Sequence, residues 1–123
     1  MKLLSFESVV HIRRTRTNNW LGYMKVWTND ESVSVVIEAG ILPIACAEMD
    51  DMGDHWWVAR VLVNLAHRRK GYGGLVVNAL KEYSKGKPIM VHPGGYGMDY
   101  EDQKSFYESC GFVESEPGVL FFR

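Results

Sequence analysis

The chain has 123 residues, 46% hydrophobic and 24% charged, with a formal net charge of −1. That length and balance predict a single soluble globular domain over residues 1–123, with a sizeable core and no bulk disorder. Near-neutral charge argues against a non-specific nucleic-acid binder, and no apolar run reaches the roughly 18 residues a membrane helix needs. The N-terminal apolar stretch is too short for a secretory signal and is interrupted by Glu7 and Arg13, so a cytoplasmic location is expected. Cys46 and Cys110 show neither Cys-x-x-Cys spacing nor a nearby His pair, so no metal or disulfide is expected and both thiols should be buried and reduced.

The first two-thirds of the chain read mainly as strands. VVHIRRTRT (9–17) is β-branched and alternating, but basic enough to suit an edge or surface strand. LGYMKVW (21–27) is extended in character and is closed by the turn-like TNDES. SVSVVIEAG (32–40) and ILPIACAEM (41–49) predict a hairpin around Ala39-Gly40. After the acidic turn DDMGD, HWWVARVLV (55–63) carries apolar residues on both faces, which predicts a central strand buried on both sides.

The pattern then changes to helical. Leu75, Val76, Ala79, Leu80 and Tyr83 keep to the helical period, and SKGKP ends that helix. IMVH (89–92) reads as a short strand before the open loop PGGYG. Asp99 is a good N-cap, with Glu101 and Asp102 in the first turn of a helix. That helix carries Phe106, Tyr107 and Cys110 on one stripe and stops at Gly111. FVES and VLFF, joined by Glu116-Pro117-Gly118, make two last strands. The order predicts an α+β or mixed α/β fold around one twisted sheet.

The junction between the strand and the first helix, HRRKGYGG (67–74), sets three cations against three glycines. A strand running through a glycine-rich turn into a helix presents unpaired N–H groups, and the helix dipole adds positive charge there, so an anion is favoured. Arg68, Arg69 and Lys70 can add charge-assisted bonds to phosphate. The alternative is a surface turn with solvated charges. No Lys-Ser or Lys-Thr stands at Walker A spacing, and Val76 occupies the place where a GxGxxG pattern needs its third glycine.

VNLAHRRKGYGG, read from Val63, resembles the acetyl-CoA-binding signature of the GNAT superfamily of N-acetyltransferases, with Arg68, Gly71 and Gly73 at its fixed positions. FYESCGF (106–112) is similar to the family's second signature, an aromatic-Tyr-x-x-x-Gly-Phe at a helix end. The resemblance covers roughly residues 32–123. It implies a mostly antiparallel twisted sheet of about six to seven strands with two main helices, and acetyl-CoA as co-substrate.

It further implies that the backbones of Leu62 and Val63 hold the pantetheine arm like an added strand. The N–H groups from Arg69 through Lys70, Gly71, Tyr72, Gly73 and Gly74 would face the pyrophosphate, flanked by Arg68. Tyr107 matches the family's general acid, which protonates the departing thiolate; otherwise it is a core tyrosine on its helix stripe. Where some members carry a Glu or His base, Trp57 stands here, and His55 is the best side-chain candidate. His55 reads equally as a cap beside the acidic turn. Glu48, Asp50, Asp51 and Asp54 near the same turn could attract a cationic amine or simply solvate a hairpin, and a water chain could also remove the proton.

The chain departs from the family pattern in several places, the first being Leu65, which stands where a proline is common in the linker. Tyr100 and Gln103 occupy positions where the family often has Asn or Ala, and too little chain lies between Thr17 and Ser32 for the usual one or two helices. The acceptor cleft would then be open, or filled by a partner subunit. Three readings remain: an N-acetyltransferase acting on a peptide, protein or small amine; a non-catalytic acyl-CoA-binding or protein-interaction module; and, least favoured, a nucleic-acid binder using HIRRTRTNNW and HRRK. Trp20, Tyr23 and Trp27 suit a homodimer if exposed, and the core if not.

Overall fold

The computed structural model describes residues 5–11, 22–39, 42–68, 70–94 and 99–123, the first of these segments through its backbone alone. Five strands come first: β1 (Ser5–His11), β2 (Tyr23–Thr28), β3 (Ser32–Ala39), β4 (Leu42–Asp51) and β5 (Trp56–Val63). A short 3-10 turn at Leu65–His67 leads into α1 (Tyr72–Tyr83); β6 (Ile89–Val91), α2 (Tyr100–Ser109), β7 (Val113–Glu116) and β8 (Val119–Phe122) complete the chain. The strands form one sheet in the order β1-β2-β3-β4-β5-β6-β8-β7, so the described residues hold eight strands around two helices.

The class and the mostly antiparallel pairing are those expected. β1 to β5 form an antiparallel meander, and β1 pairs directly with β2 from Ser5↔Thr28 to His11↔Tyr23. The basic end of VVHIRRTRT lies outside the described residues, as do Gly40 and Ile41 of the β3–β4 turn. Among the described residues only β5 and β6 run parallel, and α1 makes the crossover between them.

Period-two alternation decides which side chains are buried. Val33, Val35 and Ile37 of β3 and Ala45, Ala47 and Met49 of β4 lie on one sheet face and pack under Val76, Val77 and Leu80 of α1. Val36 and Cys46, paired across the same strands, emerge half-buried on the other face. β5 departs from its expected burial on both sides. Trp56 and Val58 are buried, but Trp57 is half-buried and Ala59 exposed. The cysteines depart too: Cys46 and Cys110 are free thiols and only half-buried, and desolvation raises both above the usual thiol range. Of the aromatics suited to a dimer, Tyr23 is exposed, Trp27 is half-buried and Trp20 lies outside the described residues.

Two features of β5 open the sheet. Between Arg60↔Glu48 and Val58↔Met49 the register slips by one, leaving Ala59 as a bulge residue without a partner on β4. On its other side β5 meets β6 at two positions only, Trp56↔Ile89 and Trp57↔Met90. Beyond Trp57 the two strands part.

Candidate active site

The parting strands open a cleft of about 450 Å³ whose walls include Val61 and Val63 of β5, Gly73 and Gly74 of α1, and Phe106 and Tyr107 of α2. Backbone alternation sets which groups of β5 face it. Asn64 N–H donates to the Ile44 carbonyl at 2.7 Å, which turns residue 64, and with it residue 62, toward β4. The polar groups of Val61 and Val63 therefore point away from β4 into the cleft. Leu62 does not line the cleft, because the pairing places its backbone toward β4 and its side chain on the opposite face from Val61 and Val63. The pair aimed at the cleft is Val61 and Val63, so the first of the two lies one residue earlier than the sequence suggests.

The chain then turns sharply. Asn64 Oδ1 accepts the Ala66 N–H at 3.0 Å, and Arg68 Nε donates to the Val63 carbonyl at 3.1 Å. This second bond ties the guanidinium to the strand end and holds it at the cleft mouth, where Arg68 is a wall residue. Arg69 lies outside the described residues, and Lys70 is exposed on the loop. Gly71 adopts φ +87°, left-handed backbone that favours glycine, and caps α1.

The helix accordingly starts at Tyr72, three residues earlier than its apolar period indicates, and Gly73 and Gly74 fall in its first turn. The N–H groups of that turn have no partner within the helix. No acidic residue stands in it. Each glycine has a separate spatial reason. A Cβ at Gly73 would come within 2.9 Å of the Phe106 ring, so α1 and α2 meet there in contact. A Cβ at Gly74 would project into open space on the cleft wall. His67 also lines the cleft, and its Nδ1 is buried with no hydrogen-bond partner among the described residues. Tyr72, edge-on to that ring, is itself a wall residue although 2% exposed.

α2 forms the facing wall. Asp99 caps it as expected, its Oδ1 accepting the N–H of Glu101 at 2.7 Å. Gln103 lines the cleft and accepts the Gly94 N–H at 3.0 Å, fastening the chain that leaves β6 to this wall. Tyr107 is 4% exposed, edge-on to Phe106 and Phe112 with ring centroids 5.1 and 5.4 Å away. Burial drives its phenol far above the ordinary tyrosine range by disfavouring the charged form, so the hydroxyl keeps its proton. The core position and the cleft position open to Tyr107 are thus the same position.

His55 is not brought to the cleft. It stands before β5 at the end remote from Val63, about 26 Å away at ~3.3 Å per residue. Its Nδ1 is 2.6 Å from Asp54 Oδ1, and its carbonyl accepts the Met52 N–H at 2.9 Å. Asp51 of the same turn pairs with Lys87 at 2.5 Å, and Glu48 pairs with Arg60 at 2.8 Å. Counting parity back from the loop selects His55, but parity carries no information about distance along a strand.

Sequence reasoning misses Val61 and His67, both of which line the cleft. His67 opens the HRRKGYGG stretch itself.

A glycine-rich, cation-flanked helix N-terminus thus stands at one end of a split between parallel strands, with a neutral phenol in the wall, an arrangement that favours an anion. Residues 25–114, well over half the chain, match the family model described as "Acetyltransferase (GNAT) domain". The chain belongs to the GNAT acetyltransferase family. No curated protein matches it. Among solved structures it is similar to anti-CRISPR protein AcrVA5, with 20% identity, TM-score 0.61, and 76% of this chain covering 99% of that one. It is similar to the ribosomal-protein-S18-alanine N-acetyltransferase from Escherichia coli, with 15% identity, TM-score 0.61, and 76% of this chain covering 68% of that one. It also resembles the PaiA N-acetyltransferase from Thermoplasma acidophilum in complex with coenzyme A, with 14% identity, TM-score 0.60, and 74% of this chain covering 58% of that one. At these identities the likeness is one of fold.

Proposed function

We propose that this chain transfers an acetyl group from acetyl-CoA to a primary amine, of a peptide, a protein or a small molecule, by direct attack. The observation that carries the reading is the split between β5 and β6. It leaves the Val61 and Val63 backbones facing a cleft that ends on the first turn of α1 and is walled by Tyr107. The cleft suits a long, thin, amide-bearing arm with a phosphorylated end. Val61 and the Val63 N–H pair with the arm as an added strand would, and Arg68 with the first-turn N–H groups of α1 meets the phosphates. Gly74 keeps open the room that a side chain would fill, and the unpartnered His67 Nδ1 offers a further polar contact. Coenzyme A in the structure of the Thermoplasma neighbour supports the choice of carrier. The alanine named for the Escherichia coli neighbour supports an amine acceptor. A cytoplasmic site of action fits this co-substrate.

Catalysis then asks two things of the protein. The thioester carbonyl must be held where an amine can reach it, and the departing sulfur must receive a proton. Tyr107, kept neutral by burial, supplies that proton. Calorimetry with acetyl-CoA tests the binding step, and free-thiol release tests transfer across a panel of a lysine peptide, a peptide with a free α-amine, a polyamine and an aminoglycoside. Micromolar binding with thiol release on at least one amine is expected. Absence of acetyl-CoA binding would overturn the proposal, and binding without release on any amine would favour the non-catalytic module.

A further inference from the structure

We infer that Asp102 of α2 is an electrostatic counterweight in the cleft, which weakens the hold on the carrier's phosphates and so speeds the departure of spent coenzyme A. The inference rests on the transferase reading above and deepens it by naming the residue that limits how tightly the carrier is kept. The N-terminal turns of α1 and α2 both line this cleft, and their charges are opposite. The first turn of α1 has no acidic residue, and Gly71 gives it no side-chain cap. Its unpaired N–H groups and the positive end of its dipole are open to an anion. In α2 the Asp99 carboxylate accepts the N–H groups of Glu101 and Asp102, at 2.7 and 3.3 Å, and each of those residues adds a carboxylate of its own. The α2 terminus is therefore closed to an anion, and the phosphate end of a carrier belongs against α1.

The alignment of the helices sets Asp102 beside that anion. Gly73 meets the Phe106 ring, and further along Lys81 Nζ donates to the Cys110 carbonyl, so α1 and α2 run side by side in the same direction. Gly73 directly follows the first residue of α1, whereas Phe106 lies well inside α2, which begins at Tyr100. α2 thus projects past the start of α1 by about five residues, or ~7.5 Å. Asp102 lies in the projecting part, one turn before Phe106 on the same face, and lines the cleft with it. Its carboxylate stands beside the space in front of the first turn of α1, which Arg68 also borders. Among the described residues the Asp102 side chain is exposed and makes no hydrogen bond or ion pair; only its N–H is engaged.

A carboxylate in a first helical turn also steadies its own helix. Glu101 does that without lining the cleft, so the neighbouring pair separates the two roles. At roughly 7 Å through water, a carboxylate and a doubly charged pyrophosphate repel enough to cost about fivefold in affinity at low salt. Acyl transfer leaves the phosphates unchanged, so the repulsion acts on substrate and product alike. With Arg68 and the α1 terminus on one side and no carboxylate on the other, the cleft would keep CoA as firmly as acetyl-CoA, and release would lag behind chemistry. Asp102 offsets part of that grip.

Three variants test this by calorimetry with acetyl-CoA and CoA and by stopped-flow displacement of CoA. Asp102→Asn and Asp102→Ala should bind both ligands about fivefold tighter than wild type at ~0.01 M ionic strength, and within about twofold at ~0.5 M. CoA should leave both about threefold more slowly at the lower salt. Agreement between the two marks a charge removed rather than a donor gained. Glu101→Gln loses the same helix-end charge and should keep both affinities within about twofold of wild type. Asp102 variants that bind no tighter would overturn the inference, as would a gain confined to Asp102→Asn, a gain that persists at high salt, one matched by Glu101→Gln, or an unchanged dissociation rate. A wild-type protein that does not bind acetyl-CoA removes the transferase reading and this inference together. Wild-type binding alongside unaltered Asp102 variants removes this inference alone.

Discussion

The two ends of β5 are built from similar residues and do opposite things. At the entry end Trp56 and Trp57 are locked into the sheet on both edges, and Trp56 N–H donates to the Pro88 carbonyl at 2.7 Å. The Trp56 indole donates to the Ser84 carbonyl at 3.2 Å, and Lys87 reaches Asp51 and lies over the Trp56 ring. At the exit end β5 loses β6, gains a bulge at Ala59, and turns its unpaired backbone into a cleft. Charge is abundant at both ends, yet at the entry end it serves to close turns. What separates a structural charge from a functional one here is whether the sheet is paired beside it.

That contrast predicts a gradient of effects. The largest falls at the exit end: Tyr107→Phe should lower kcat by about 10²-fold while acetyl-CoA affinity, read by calorimetry, stays within twofold. Equal turnover would return Tyr107 to the core alone. Arg68→Gln comes next, weakening acetyl-CoA binding about tenfold, as loss of one charge-assisted bond implies, with kcat at saturation little changed. At the entry end Asp51→Asn should act on stability alone. The hydrogen bond from Lys87 holds the Asp51 carboxyl below the usual carboxylate range. Its contribution is therefore present above the unfolded-state value, near 4, and is lost as pH falls through the lower folded-state value. The difference in Tm between wild type and Asp51→Asn should be widest near neutral pH and close in acid. A difference that grows on acidification would reverse the assignment. The smallest effect belongs to His55→Gln, whose kcat should match wild type within twofold; a larger loss would bring His55 back into the reaction.

Much of this is legible in the sequence because local signals and tertiary structure agree. Asp99 caps its helix, Gly71 takes the left-handed turn, and β3 and β4 alternate as their side chains require. The mismatches have a common origin. The sequence points to Leu62 rather than Val61 and to a fully buried Trp57, because each depends on which strand lies beside β5 and for how far. A strand's own residues fix its alternation, but its neighbours fix which edge stays unpaired. The β5–β6 pair joins segments more than 30 residues apart through only two rungs, and nothing in HWWVARVLV or IMVH states where that pairing stops.

The contact between Gly73 and Phe106 has a consequence for how such a chain can change over generations. The two helices touch there with no room for a Cβ at 73 beside the Phe106 ring, and both residues line the cleft. A side chain gained at 73 has to be matched by bulk lost at 106, which makes the two positions a single heritable unit spread over two helices. Bulk at 73 can be gained only after bulk at 106 has been given up, so the order of change is set by the contact.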